Sequence, residues 1–400
     1  MRRDRIVSAL PVVVAVLAVA AGAVPRIALA ADALPAPLRP FVWSDVLHIW
    51  ERGARGVALP YWNVFFEYPP LIGYLWAAIE RVGPSAVATV TLWAVVQALA
   101  AGIVAFLLTR EAGAARTLLF WSLSPQLLLY GSLNFDLLAV AALVAAVSLA
   151  RRERLVGSAV ALAVGAAAKL FPIVGLPVIL TRRAVARDAL PVVVATAAFL
   201  VVTAVAFAPG ALAPYPTLFS IGRYSTGIAP NLDSVWGLVR AVVLATGWDP
   251  VDWIVTLSLA GTAVTYLVLV LPSAARSEDP AAPMALAVLT VLLWTRLYSP
   301  QYSLWVLPFF ALLGLRGRTY ALLAIADVGV FLTVYPLTLV RWQAGDPFGT
   351  ALAAALVVAV ILREIALIVA SVGARSTSRP IRRGYAARGT ALAGPDATSR

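Results

Sequence analysis

The chain has 400 residues, of which 62% are apolar and only 12% charged. A soluble domain is nearer half apolar and about a quarter charged, so hydrocarbon, not water, must be the solvent for most of this one. A net charge of +12 would suggest nucleic acid in a soluble protein. Here, however, most arginines fall in short clusters between apolar runs, the pattern of topogenic charge and anionic-lipid contact, and no nucleic-acid partner is expected. With no cysteine and with His48 as the only histidine, disulfides, thiol nucleophiles and multi-histidine zinc or haem sites are excluded. No cofactor is required and no metal ligand set is assigned, although a carboxylate-bound divalent cation is left open.

In chain order, the apolar runs predict an all-α integral membrane protein with about twelve spans, each needing about 20 residues if upright. Arg2, Arg3 and Arg5 precede the first run, Ile6 to about Ala30, which ends in Ala28-Leu29-Ala30. That ending mimics a signal-peptide cleavage site, but the run is long enough to span and is read as a retained first helix. A polar, aromatic, proline-bearing loop follows over about 31–84. Span two runs from Ser85 to Thr109 and ends at Arg110 and Arg116. Thr117 to Tyr130 and Asp136 to Ala150 form the next pair, closed by Arg151, Arg152 and Arg154. Leu155 to Leu180 turns near Lys169 and ends at Arg182, Arg183 and Arg187.

Leu190 to Ala208 opens into a second long loop, about 209–250. Later spans end near Arg276, run from Ala281 to about Thr295, return to Arg316 and Arg318, and cover Tyr320 to Tyr335 and Thr350 towards Arg375. With the amino terminus inside, every arginine cluster falls on the cytoplasmic side. The two long loops and most tryptophans, among them Trp43, Trp50, Trp62, Trp236 and Trp248, then lie on the outer face. An ordinary aromatic belt decorates both interfaces, so this lopsided one points to an outer working surface. Residues 1–372 read as one transmembrane domain, and 373–400 as a disordered basic cytoplasmic tail.

The first outer loop holds the most chemistry. Ser44 to Arg52 predicts a short helix on which Asp45, His48 and Arg52, spaced i, i+3, i+7, share a face. Beyond it, Glu67-Tyr68-Pro69-Pro70-Leu71 sets a carboxylate beside a rigid turn that fixes the departure of the next helix; the plainer role for Glu67 is a surface ion pair. Lys169 is the only lysine, and it must face water, a partner, an anionic ligand or the interface to which it can snorkel. Lys169, Arg296 and, in the second loop, Arg223 are three separated cations that would suit a phosphate if they converge. Asp136, at the start of a span, suits either the helix dipole or a substrate. Asp327, flanked by apolar residues within its span, is a functional or paired residue by default. Arg363 and Glu364 either pair or mark an early cytoplasmic end of the last span.

Five segments together give the chain a resemblance to the GT-C membrane glycosyltransferases, and within them to glycosyltransferase family 87, the polyprenyl-phosphate-mannose-dependent mannosyltransferases of actinobacteria and relatives. They are Ser44-Asp45 with Pro60-Tyr61 and Glu67-Tyr68-Pro69-Pro70-Leu71; Ser124-Pro125 to Asn134-Phe135-Asp136; Lys169-Leu170-Phe171-Pro172 with Pro177; Asp233-Ser234-Val235-Trp236; and Arg296 through Ser299-Pro300-Gln301-Tyr302 to Trp305 and Pro308. Asp233 stands where the family pattern has Glu, and Arg296 where Lys is common. The alanine- and arginine-rich composition suits a high-GC actinobacterium.

The resemblance implies a GT-C-like helical bundle in the plasma membrane with its site on the extracytoplasmic face. It further implies a polyprenyl-phosphate sugar donor, a glycolipid or polysaccharide acceptor, and transfer of a hexose, mannose above others, with inversion. Asp45 would be the general base, and Lys169, Arg296 and Arg223 would hold the donor phosphate. His48, Tyr61, Glu67, Tyr68, Asp136, Asp233, Gln301 and Tyr302 would bind substrate, the tyrosines by stacking on sugar faces. An arabinofuranosyltransferase with a polyprenyl-phosphate donor is the neighbouring reading. A multi-span secondary transporter, favoured by the span count and Asp327, and a non-enzymatic partner subunit of envelope assembly are the others.

Overall fold

The computed structural model describes residues 2–53, 55, 59–83, 85–213, 227–340, 342–343 and 345–377, the first seven of these by backbone alone. Regular structure among them is helical, apart from an isolated bridge between Pro60 and Val64. In hydrocarbon a spanning helix satisfies every backbone polar group within itself, which is why such a sequence folds this way. The helices are α1 (Arg2–Ala30), α2 (Asp45–Glu51), α3 (Pro70–Val82), α4 (Ala86–Ala112), α5 (Ala114–Thr117, continuing as a π turn through Ser122), α6 (Pro125–Tyr130), α7 (Asp136–Arg151), α8 (Leu155–Ala168) and α9 (Gly175–Val185). They continue with α10 (Ala189–Ala211), α11 (Val235–Leu244), α12 (Val251–Arg276, with a π turn over Tyr266–Val270), α13 (Ala281–Trp294), α14 (Leu307–Leu313), α15 (Gly317–Leu339) and α16 (Pro347–Thr377).

Among the described residues, six helices are long and apolar enough to cross a membrane: α1 from Ala9, α4, α10, α12, α15 and α16. The remaining apolar segments are shorter than the twelve-span reading expects. The expected span from Thr117 to Tyr130 is broken at Ser124, which caps α6 by accepting from the Leu127 amide at 3.2 Å, with Pro125 as the first helical residue. The 14 residues of α8 reach about 21 Å, well short of a hydrocarbon core of about 30 Å. Short helices are tolerated where longer ones screen their ends from lipid. Thus α13 is buried along most of its length, while α10 and α12 turn Leu190, Val205, Leu267 and Val268 outward. The last helix continues to Thr377, past the Gly373 at which the periodicity predicts an end, and the predicted tail beyond it lies outside the described residues.

The two ends of the bundle differ sharply. At one end Arg151 bridges Glu111 at 3.3 Å and Asp279 at 2.7 Å, Arg152 meets Glu111 at 2.7 Å, and Arg182 meets Glu153 at 3.2 Å. Helix α7 runs from this network back to Asp136, and α8 runs from it towards Lys169, so the arginine clusters and the candidate site occupy opposite ends of both helices. At the far end, Arg26 of α1 is buried and donates to the carbonyls of Trp43 at 2.9 Å and Leu129 at 2.6 Å, and to Ser132 Oγ at 3.2 Å. Those bonds seat the first loop on the bundle. An aromatic core of Trp76, Trp93 and Phe135 lies beneath, with the Trp93 and Phe135 rings 4.5 Å apart.

Candidate active site

A cleft of about 400 Å³ opens at this end between α2, the 67–69 turn, Asn134, the break after α8, and the segments 228–231 and 297–305. Ser44 caps α2 by accepting from the Leu47 amide at 3.2 Å, which leaves Asp45 as the first helical residue with its side chain available for other work. Asp45 Oδ1 accepts from Trp43 Nε1 at 2.5 Å, and Oδ2 accepts from Asn134 Nδ2 at 2.5 Å. Burial pushes the Asp45 carboxyl above the ordinary aspartate range, against the opposing pull of the Trp43 hydrogen bond, the Lys169 charge and the Asn134 hydrogen bond. It is a half-buried carboxylate whose two oxygens each accept from a neutral donor.

His48 and Arg52 line the cleft from the same face of α2, as their spacing predicts. Arg52 pairs with Glu67 Oε1, so Glu67 makes the surface ion pair and borders the cleft at once; its Oε2 is buried without a hydrogen-bond partner. Pro69 caps α3 and Pro70 opens it, fixing the turn that carries Tyr68. The Tyr68 hydroxyl accepts from Asn134 Nδ2 at 3.2 Å, so one amide group touches both Asp45 and Tyr68.

Lys169 follows the last residue of α8 in an extended conformation, φ −156° and ψ 138°. It does not snorkel: its Nζ lies 2.9 Å from Asp136 Oδ2 and 4.7 Å from the centre of the Tyr302 ring. The other Asp136 oxygen accepts from Trp305 Nε1 at 2.6 Å. Trp305 is stacked between Phe171 and Tyr302, with ring centres 3.9 and 4.0 Å away. The break at Lys169-Leu170-Phe171-Pro172 and the late Gln301-Tyr302 segment are thereby locked into one wall.

Of the residues proposed from sequence, Asp45, His48, Glu67, Tyr68, Lys169, Gln301 and Tyr302 border this cleft. Asp136 stands behind it, with both oxygens committed to Lys169 and Trp305. Tyr61 is buried rather than open to a sugar: it holds φ 74° and donates from its hydroxyl to the Tyr68 carbonyl at 2.7 Å. Arg296 does not join Lys169. Its Nη1 donates to the Ile228 carbonyl at 2.5 Å, and it borders a neighbouring apolar groove with Trp294 and Thr262 that meets the cleft at Leu297. Asp233 is buried, its carbonyl accepting from Arg363, and Arg223 lies outside the described residues.

Asp327, for which sequence offers no partner, accepts from Ser303 Oγ at 2.8 Å and Gln126 Nε2 at 3.0 Å. Arg363 is fully buried in the middle of α16 and marks no helix end. Arg52, placed by its spacing on the face of Asp45 and His48, also lines the cleft, and cleft residues that the sequence does not single out for the site include Asn134, Asn231, Ser299 and Trp305. Three of these sit within or beside motifs that it does single out, so adjacency is the available signal. Only Asn231 depends on the second loop folding back, and it donates to the Tyr298 carbonyl at 2.9 Å. Among the described residues, no three His, Cys, Asp or Glu side chains are grouped to hold a metal ion.

What unites these pieces is a polar cleft between loops at one end of a lipid-embedded helical bundle, with one hydrogen-bonded carboxylate and one ion-paired lysine on its walls. The sequence profile of glycosyltransferase family 87 matches residues 65–300, more than half of the chain, and the chain belongs to that family: it is a membrane glycosyltransferase. Membership sets aside the transporter and non-enzymatic readings. Two solved structures also align over 83% of this chain. They are ArnT from Cupriavidus metallidurans in the apo state, at 14% identity and TM-score 0.42 over 71% of that chain, and the same protein bound to undecaprenyl phosphate, at 14% identity and TM-score 0.41 over 72%. No curated protein matches the sequence.

Proposed function

We propose that the enzyme moves a mannosyl group from a polyprenyl-phosphate donor to a hydroxyl of an envelope glycolipid or polysaccharide, with inversion, on the outer face of the plasma membrane. The observation that carries this reading is the placement of Asp45 and Lys169 on one cleft. Asp45 takes the proton of the acceptor hydroxyl as that oxygen attacks the anomeric carbon, and the bond from that carbon to the phosphate oxygen breaks. The electron pair leaves with the polyprenyl phosphate, where the Lys169 ammonium offsets the developing charge. General-base assistance of this kind is worth about 10²–10⁴-fold. Inversion follows from a single displacement with no enzyme nucleophile.

Tyr302, Tyr68 and the edge of the Trp305 stack offer faces for the sugar, while Glu67 Oε2 and Gln301 Oε1, both buried acceptors without partners, suit its hydroxyl protons. Arg296 supports the wall through the Ile228 carbonyl and borders the neighbouring groove, so the phosphate is left to Lys169 in this reading. Clustering of the arginines at the opposite end supports an outward-facing site by the positive-inside bias. Mannose rests on the motif resemblance and on the actinobacterial cast of the composition.

The test is reconstitution in liposomes with polyprenyl-phosphate-mannose, polyprenyl-phosphate-arabinofuranose and candidate envelope glycolipids. Transfer of mannose by wild type, lost in Asp45→Asn, is the expected result. Transfer of arabinofuranose alone would overturn the sugar, and transfer undiminished in Asp45→Asn would overturn the base.

A further inference from the structure

Arg363 is the feature that this mechanism leaves unused. It lies beyond the residues matched by the family profile, in the middle of the last long helix, yet it has no exposure to solvent or lipid. An arginine at such a depth is costly and is retained for a task. Its guanidinium carbon lies 3.7 Å from the centre of the Tyr298 ring, and Nη2 donates to the Asp233 carbonyl; Nε and Nη1 are buried without hydrogen-bond partners. The two groups it grips belong to different segments. Asp233 closes the stretch in which Asn231 borders the cleft, and Tyr298 directly precedes Ser299, Gln301 and Tyr302 on its wall.

Those two segments also hold each other. The Asn231 amide donates to the Arg296 carbonyl at 3.0 Å, and its side chain donates to the Tyr298 carbonyl at 2.9 Å and to Ser299 Oγ at 3.3 Å. Beneath Tyr298, its hydroxyl meets Ser303 Oγ at 3.1 Å, and Ser303 in turn donates to Asp327 of α15 at 2.8 Å. Arg363 is thus where α16 fastens both segments at once. A planar cation can stack flat on the ring while its edge donates to the carbonyl; a lysine ammonium cannot do both.

We propose that Arg363 is a positioning residue for the transfer reaction, clamping the second-loop segment around Asp233 to Tyr298 and so setting the width of the donor side of the cleft. The proposal rests on the transfer reading for its kinetic consequence, but not for its structural one. A displaced wall costs substrate alignment, and misplacement by about 1 Å can cost 10²-fold in rate.

Two measurements test it. In the reconstituted assay, Arg363→Met should raise the KM for polyprenyl-phosphate-mannose about tenfold, leave the acceptor KM unchanged, and be partly rescued by Arg363→Lys. In parallel, Trp62→Cys in the first loop and Leu232→Cys beside the cleft residue Asn231, exposed positions in an otherwise cysteine-free chain, carry spin labels that report the distance between those two segments. Arg363→Met should broaden that distance distribution and Arg363→Lys should narrow it only in part. If Arg363→Met does not yield folded protein, Tyr298→Leu removes the stacking partner instead and carries the same expectations. A wild-type donor KM together with an unchanged distance distribution overturns the proposal. Should wild type transfer from no polyprenyl donor, the functional reading fails, and the spin-label distances alone decide whether Arg363 sets the wall.

Discussion

Lys169 and Asp136 face each other at 2.9 Å from the ends of two short helices, and Trp305 holds the remaining oxygen of the aspartate at 2.6 Å. The lysine proposed to meet the donor phosphate is therefore already the counter-ion of a buried carboxylate. Removing one partner of such a pair strands the other, at about 3–5 kcal/mol. Lys169→Ala should abolish transfer and also lower the melting temperature in detergent. Lys169→Met combined with Asp136→Asn should recover most of the melting temperature without recovering transfer. Recovery of transfer in the double variant would show that the lysine is structural only.

Asp45→Asn keeps the shape of the side chain but loses the base. It should reduce turnover by about 10²–10⁴-fold. Donor binding, followed by quenching of tryptophan fluorescence, should persist, because Lys169 and the aromatic wall are untouched. Loss of binding together with turnover would assign Asp45 a binding role.

The pH profile carries a sign. Burial raises the proton affinity of Asp45, and hydrogen bonds from Trp43 and Asn134 oppose that rise. The active form is the carboxylate, so turnover should fall as pH drops through a limb displaced upward from the ordinary aspartate range. Trp43→Phe removes one opposing hydrogen bond and should move the limb to still higher pH. A limb that stays in place in Trp43→Phe would mean that another group controls it.

Gly73 is required by a close approach. A Cβ there would lie 2.5 Å from the Tyr61 ring, whose hydroxyl positions the Tyr68 carbonyl. Gly73→Ala should destabilise the protein by about 1–3 kcal/mol and raise the donor KM, as read by thermal unfolding and steady-state kinetics. Unchanged stability would show that Tyr61 can move aside freely.

Much of this arrangement is legible in the sequence, for identifiable reasons. Arginine clusters give the two ends of the bundle, and the Pro69-Pro70 pair marks where α3 begins. Because helix spacing is local, the shared face of Asp45, His48 and Arg52 follows from their intervals alone. Tyr61 and Arg296 escape such reasoning because both are aimed by distant backbone: the Tyr68 carbonyl for one, the Ile228 carbonyl for the other. Asp327 and Arg363 are unusual by position alone, but their partners, Ser303, Gln126, Tyr298 and Asp233, come from segments that only tertiary packing brings near. Lys169 shows the same limit, since a lone lysine in sequence cannot announce a carboxylate 33 positions earlier.

The ion pairs around the cleft have a consequence for selectivity among lipids. Glu67 answers Arg52, and Asp136 answers Lys169. A pocket wired in this way exerts little long-range pull on the phosphodiesters crowding every leaflet, because each of these two cations has a partner to release before it can engage another. On the proposed reaction, abundant phospholipids gain little by entering, and the toll is repaid by a guest that brings a carbohydrate for the aromatic wall as well as a phosphate.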